Sequence, residues 1–119
     1  MRKNLILLVF LIIIISGCVQ TSIYYWGNYS DTLYKYKKAP SDETLIKHIK
    51  SIEKIIKESE YLKKKVPPGV YCEYGYYFML KENYVDAKKY FELETALYPE
   101  STKFINVLMK GIPEQKEKE

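Results

Sequence analysis

The chain has 119 residues, room for one small domain and too little for a multidomain enzyme. Its formal charge of +4 rests on 19 basic residues, of which only Arg2 is an arginine, whereas a dedicated nucleic-acid binder carries a dense, arginine-containing stripe. Apolar residues make up 47% of the chain and there are 13 tyrosines, so a folded core is expected and part of it must be aromatic.

The first segment reads as an address. Arg2 and Lys3 precede an unbroken apolar run from Leu5 to Ile15, and the small residues Ser16 and Gly17 lead to Cys18. This is the layout of a cleaved secretory signal, and the run is shorter than the roughly 17–25 residues a membrane-spanning helix needs. Ile15-Ser16-Gly17-Cys18 resembles the lipobox of bacterial lipoproteins. The resemblance implies a covalent diacylglycerol and an N-acyl chain on Cys18, with residues 1–17 removed and 18–22 left as a lipidated tether. Val19, rather than Asp, after the cysteine implies the outer membrane, facing the periplasm. Cleavage also removes Arg2 and Lys3 and lowers the side-chain charge to +2. The lipid consumes the Cys18 thiol and leaves Cys72 unpaired, so no internal disulfide is expected, and the aromatic surroundings of Cys72 suit a buried structural thiol.

Tyr24, Tyr25 and Trp26 follow the tether at once and could sit at a membrane interface. The stripe continued by Tyr29, Leu33 and Tyr36 favours packing on the domain instead. A short helix is predicted from Ser30 or Asp31 to Lys38, ended by Ala39-Pro40-Ser41. A long amphipathic helix is predicted over Asp42 to Lys64, with Ser41 or Asp42 as its N-cap, Leu45, Ile49, Ile52 and Ile56 inward, and a solvated face of lysines and glutamates. His48, beside Lys47, is expected on that solvated face, and Lys63 to Gly69 is a linker of like charges, prolines and glycine.

Two further helices, Val70 to Lys81 and Tyr84 or Val85 to Tyr98, flank a turn at Glu82-Asn83. A last one, Ser101 to Met109, caps them with Phe104, Ile105, Leu108 and Met109. Tyr71, Gly75, Phe78, Ala87, Phe91 and Pro99 stand at spacings that resemble one tetratricopeptide repeat, in which small residues let two helices approach and rings fill beside them. Glu94 departs from that pattern, which expects a small residue there. The fold expected is therefore all-α, a small right-handed array of about four helices over 23–110, with 111–119 as a charged, disordered tail.

Tyr25-Trp26-Gly27, the Ile-rich helix, Val66-Pro67-Pro68-Gly69, Tyr71-Cys72-Glu73-Tyr74-Gly75 and Tyr98-Pro99-Glu100-Ser101 together resemble small bacterial lipoproteins of the domain-of-unknown-function family 4810. That resemblance covers 22–110, carries no catalytic residues, and implies as partner another envelope protein, of which a curli-secretion-type lipoprotein is the specific expectation.

Nucleophilic catalysis needs a nucleophile beside a base, and metal chemistry needs clustered ligands. One histidine, no phosphate-binding loop and no metal-ligand spacing argue against an enzyme and against any cofactor or metal. The expected function is a lipid-anchored, non-catalytic adaptor, with Tyr24, Tyr25, Trp26, Tyr71, Tyr74 and Tyr77 as candidate partner-binding residues. The alternative is a carrier of a lipid or small hydrophobic ligand in an aromatic groove.

Overall fold

The computed structural model describes residues 1–3 and 22–113. The leader's apolar run, Cys18 and the charged end of the tail lie outside the described residues. Five α-helices follow one another: α1 (Tyr29–Lys38), α2 (Asp42–Tyr61), α3 (Val70–Leu80), α4 (Tyr84–Leu97) and α5 (Thr102–Met109), the last preceded by a 3-10 turn, Pro99–Ser101. Among the described residues the fold is all-α, and its five helices are the five that the sequence places in chain order.

Local chemistry accounts for most of the boundaries. Ser41 and Thr44 form a reciprocal capping box at the start of α2, each backbone N–H donating to the other's side-chain oxygen at 3.2 and 3.0 Å. α1 begins at Tyr29, earlier than expected, and the Asn28 side chain does not cap it because its Oδ1 accepts from Ser51 Oγ at 3.0 Å. α2 stops short of Lys64: Lys63 turns to φ 53°, Lys64 N–H donates to Ser59 O, and Lys63 N–H donates to Glu60 O. This is a Schellman ending with lysine in the left-handed position that glycine usually takes. α3 ends in the same way, with Glu82 at φ 58° and Asn83 N–H bonded to Phe78 O.

α1 packs along α2 and α3 along α4, both antiparallel, and α5 lies against α4. One core cluster joins Ile49, Ile52 and Ile55 of α2 to Val66, Val70 and Tyr74. A second joins Ala87 and Phe91 of α4 to Ile105 of α5, and Ile112 packs on it beyond the expected domain end at 110. The linker is not slack, since Val66 and Pro67 are buried and Val66 O accepts from Tyr98 OH at 2.7 Å. Ser59 Oγ is buried with no hydrogen-bond partner among the described residues.

Candidate functional site

Gly69 opens α3 with φ 86°, a conformation that suits glycine. Glu94 of α4, buried, reaches across to this end and accepts from Gly69 N–H at 2.7 Å and Cys72 N–H at 3.2 Å. A carboxylate there satisfies two of the helix's free donors and meets the positive end of its dipole. This is why the α3/α4 hairpin carries a glutamate where the repeat pattern has a small residue. Farther along, α4 comes so close to α3 that a Cβ on Gly75 would stand 2.8 Å from Phe91 Cδ1 and 3.0 Å from Ala87 O. Only glycine fits without displacing the buried Phe91 ring.

On the α2 side of the hairpin the rings pack on one another, some tilted and some stacked. Tyr74 lies 4.6 Å from Tyr90 and 4.8 Å from Phe78, and Tyr71 lies 6.0 Å from Tyr90, between ring centroids. Tyr74 is buried, with its hydroxyl donating to Glu53 at 2.8 Å, and burial together with that bond holds its phenol well above the usual range. Tyr71 and Tyr77 are half-buried beside it, and Tyr24 and Tyr25 are half-buried at the start of the domain, whereas Trp26 is exposed, 5.4 Å from Tyr29. Tyr25, Tyr71 and Tyr77 all pack on the α2 core cluster. The six candidate residues therefore do not form one open surface.

The more open apolar surface is elsewhere. α3 and α5 flank a groove of about 830 Å³ lined by Pro68, Cys72, Tyr76, Tyr98, Phe104 and Leu108, with Glu73, Glu94, Glu100 and Ser101 on its polar side. Phe104 is 59% exposed, and Tyr76, Leu80 and Val107 on the same two helices are also exposed. Phe104 does not cap the core as expected; Ile105 does. The signal was present, because Phe104 and Leu108 form their own i, i+4 stripe beside that of Ile105 and Met109. Burial, then the charges of Glu94 and Glu73, push the Cys72 thiol up to about 11, so at neutral pH it lines the groove as a small apolar group.

His48 is not on the solvated face. It is 1% exposed and holds three helices together. Nε2 lies 2.8 Å from Glu73 Oε1 of α3, and Nδ1 lies 2.9 Å from Thr32 Oγ1 of α1. Tyr29 OH donates to the other Glu73 oxygen at 2.6 Å. With the carboxylate ionised, Nε2–H donates to it. Nδ1 then either accepts from the Thr32 hydroxyl or, on a protonated ring, donates to it while that hydroxyl donates to Tyr29 O at 3.0 Å. Burial alone would raise the Glu73 carboxyl, but the bonds from His48 and Tyr29 and the nearby charges of His48 and Lys37 hold it below the ordinary value. The sequence signal was phase: His48 follows Leu45 by three and precedes Ile52 by four, so it shares their stripe despite its lysine neighbour.

Between α1 and α2 a wide groove of about 1140 Å³ is lined by Lys35, Lys38, Lys47, Lys50 and Lys54, of which Lys35 pairs with Asp31 and Lys47 with Glu43. Among the described residues no group of His, Cys, Asp and Glu could hold a metal ion, and no helix is long and apolar enough to cross a membrane.

Residues 23–108 match the model of a family described as a domain of unknown function, DUF4810. The chain belongs to this family. No curated protein and no solved structure matches it. The DUF4810 match spans all five helices except the last residue of α5, so the clasp at His48, the Glu94 cap and the α3/α5 groove all lie inside the family domain.

Proposed function

We propose that this DUF4810 protein is a bacterial envelope lipoprotein, anchored through acyl chains on Cys18, that acts as a non-catalytic adaptor by receiving an apolar segment of another envelope protein in the α3/α5 groove. The observation that carries this reading is the groove itself. Tyr76, Phe104 and Leu108 line it, and the large side chain of Phe104 stays exposed in a small domain whose other rings are mostly packed. Exposed aromatic and aliphatic anchors around a concavity are what partner hot spots fill. The carboxylate of Glu100 on the rim favours a partner segment with a basic flank. A curli-secretion-type lipoprotein is the specific partner proposed. The tetratricopeptide-like reading of α3, α4 and α5 supports the same face, since a groove between successive first helices is where such arrays take up peptides.

Other features fit the non-catalytic reading. Thr32, His48 and Glu73 stand in the order of a hydroxyl–imidazole–carboxylate relay, but Thr32 is buried and its hydroxyl bonds back to its own helix, so the set serves as a clasp. The carrier reading has less to rest on, because the rings that would line its pocket stand 4.6 to 6.0 Å from one another and fill that space themselves.

Cys18→Ala tests the anchor. Fractionation of cells expressing it is expected to move the protein from the membrane pellet to the soluble periplasmic fraction, since stable attachment requires more than one acyl chain. Retention in the pellet after a carbonate wash would contradict the anchor.

A further inference from the structure

The end of the domain where the described chain begins has a composition unlike the rest of its surface. Lys64 Nζ donates to Ser22 O at 2.8 Å, which fixes the start of the domain against the loop that follows α2. Ile23 is 77% exposed, Tyr61 is 81% exposed, and Leu62 is exposed as well. Each is next to Ser22 or to the lysine run in sequence, so three large apolar side chains and Lys63, Lys64 and Lys65 share one end. None of the three lysines forms an ion pair among the described residues; the nearest acids in sequence, Glu58 and Glu60, do not pair with them. The Schellman ending of α2 turns this run outward, and Lys63 and Lys65 are exposed.

We propose that this end is an interfacial docking surface for a bilayer containing anionic phospholipid, with Ile23, Tyr61 and Leu62 entering the headgroup region and Lys63 and Lys65 binding lipid phosphates. The inference rests on the lipid-anchor reading of Cys18. Cys18 stands four residues before Ser22, so the tether spans at most about 14 Å, and the lysines stay near the surface potential of the leaflet that holds the anchor. Apolar side chains flanked by lysines are suited to that boundary, because rings and aliphatic groups favour it while amine heads stay hydrated. None of Ile23, Tyr61, Leu62, Lys63 and Lys65 lines the α3/α5 groove, so docking and partner binding draw on different side chains.

The test uses the acylated mature protein carrying Trp26→Phe and Tyr61→Trp, so that one indole reports from position 61, reconstituted in vesicles of phosphatidylcholine alone or mixed with phosphatidylglycerol, with brominated acyl chains as quenchers. Strong quenching is expected in the phosphatidylglycerol vesicles. It should fall to the phosphatidylcholine level on adding Lys63→Glu and Lys65→Glu, with flotation unchanged. An indole that stays unquenched while the protein floats with the vesicles would overturn the docking surface and leave the anchor standing. Quenching that is equal in both vesicles and indifferent to the lysine changes would overturn the anionic-lipid contact. Failure to float with either vesicle would overturn the anchor reading, and the docking surface with it.

Discussion

Phe91→Ala is expected to cost about 3–5 kcal/mol of folding stability, a large part of the roughly 5–15 kcal/mol that domains possess. Phe91 is fully buried, belongs to the cluster with Ala87 and Ile105, and is the ring against which Gly75 allows α3 to close. Truncation leaves a cavity along a helix pair whose approach is set by a missing side chain on one helix and a ring on the other, and the backbone cannot collapse far because Ala87 O already stands close to Gly75. Urea denaturation followed by circular dichroism measures the loss, and Phe91→Leu should recover part of it. A loss below about 1 kcal/mol for the alanine variant would mean that α3 and α4 are not joined as described.

His48→Ala is expected to cost about 3 kcal/mol at neutral pH, near the lower end for breaking a buried pair, because Glu73 retains 32% of its side-chain surface in water. The loss arises less from the ring's own packing than from what it leaves behind: a Glu73 oxygen without its donor and a buried Thr32 hydroxyl facing empty space. The same clasp predicts a pH dependence. The Glu73 carboxyl is held below its ordinary value in the folded protein, so its contribution is complete above the unfolded carboxylate pKa of about 4.3 and is lost as the pH falls through the lower, folded value. Urea midpoints measured between neutral and acidic pH should fall in that window for the natural chain. Glu73→Gln should be less stable at neutral pH and flatter through it. An unchanged slope in Glu73→Gln would remove the clasp from the account of acid sensitivity.

The same residues show where the sequence is readable and where it is not. Ser41 with Thr44, Pro40 and Pro99 mark helix ends through bonds made or blocked within a few residues, and those boundaries are legible from spacing alone. The ending of α2 at Lys63 is less so, since the left-handed residue there is not glycine and carries no local mark, whereas the turn at Glu82-Asn83 falls where the spacing puts it. His48 was obscured by its lysine neighbour, although its phase with Leu45 and Ile52 placed it inside. Its partners, Glu73 and Thr32, come from two other helices, which no periodicity along one segment reveals. Glu94 is the clearest case of a tertiary bond overriding a pattern: its value lies in reaching the first turn of α3, 25 residues away from Gly69 in sequence. Part of the core is aromatic, as the composition requires, and Tyr74, buried within it, is for that reason a poor contact residue. The exposed rings at the α3/α5 groove, Tyr76 and Phe104, are not legible in the sequence, because a hairpin's outer groove appears only once a third helix is set beside it.

The adaptor reading is tested most directly by placing a photo-crosslinking phenylalanine analogue at Phe104, in the α3/α5 groove, and in a separate strain at Val85, an exposed α4 position outside it. Irradiation of whole cells followed by denaturing electrophoresis and mass spectrometry is expected to give one discrete adduct with an envelope protein from position 104. Position 85 should give none, and Leu108→Asp should remove the adduct. Adducts that are the same from both positions, or none from position 104 in cells that carry the membrane-bound protein, would contradict the groove as the partner site.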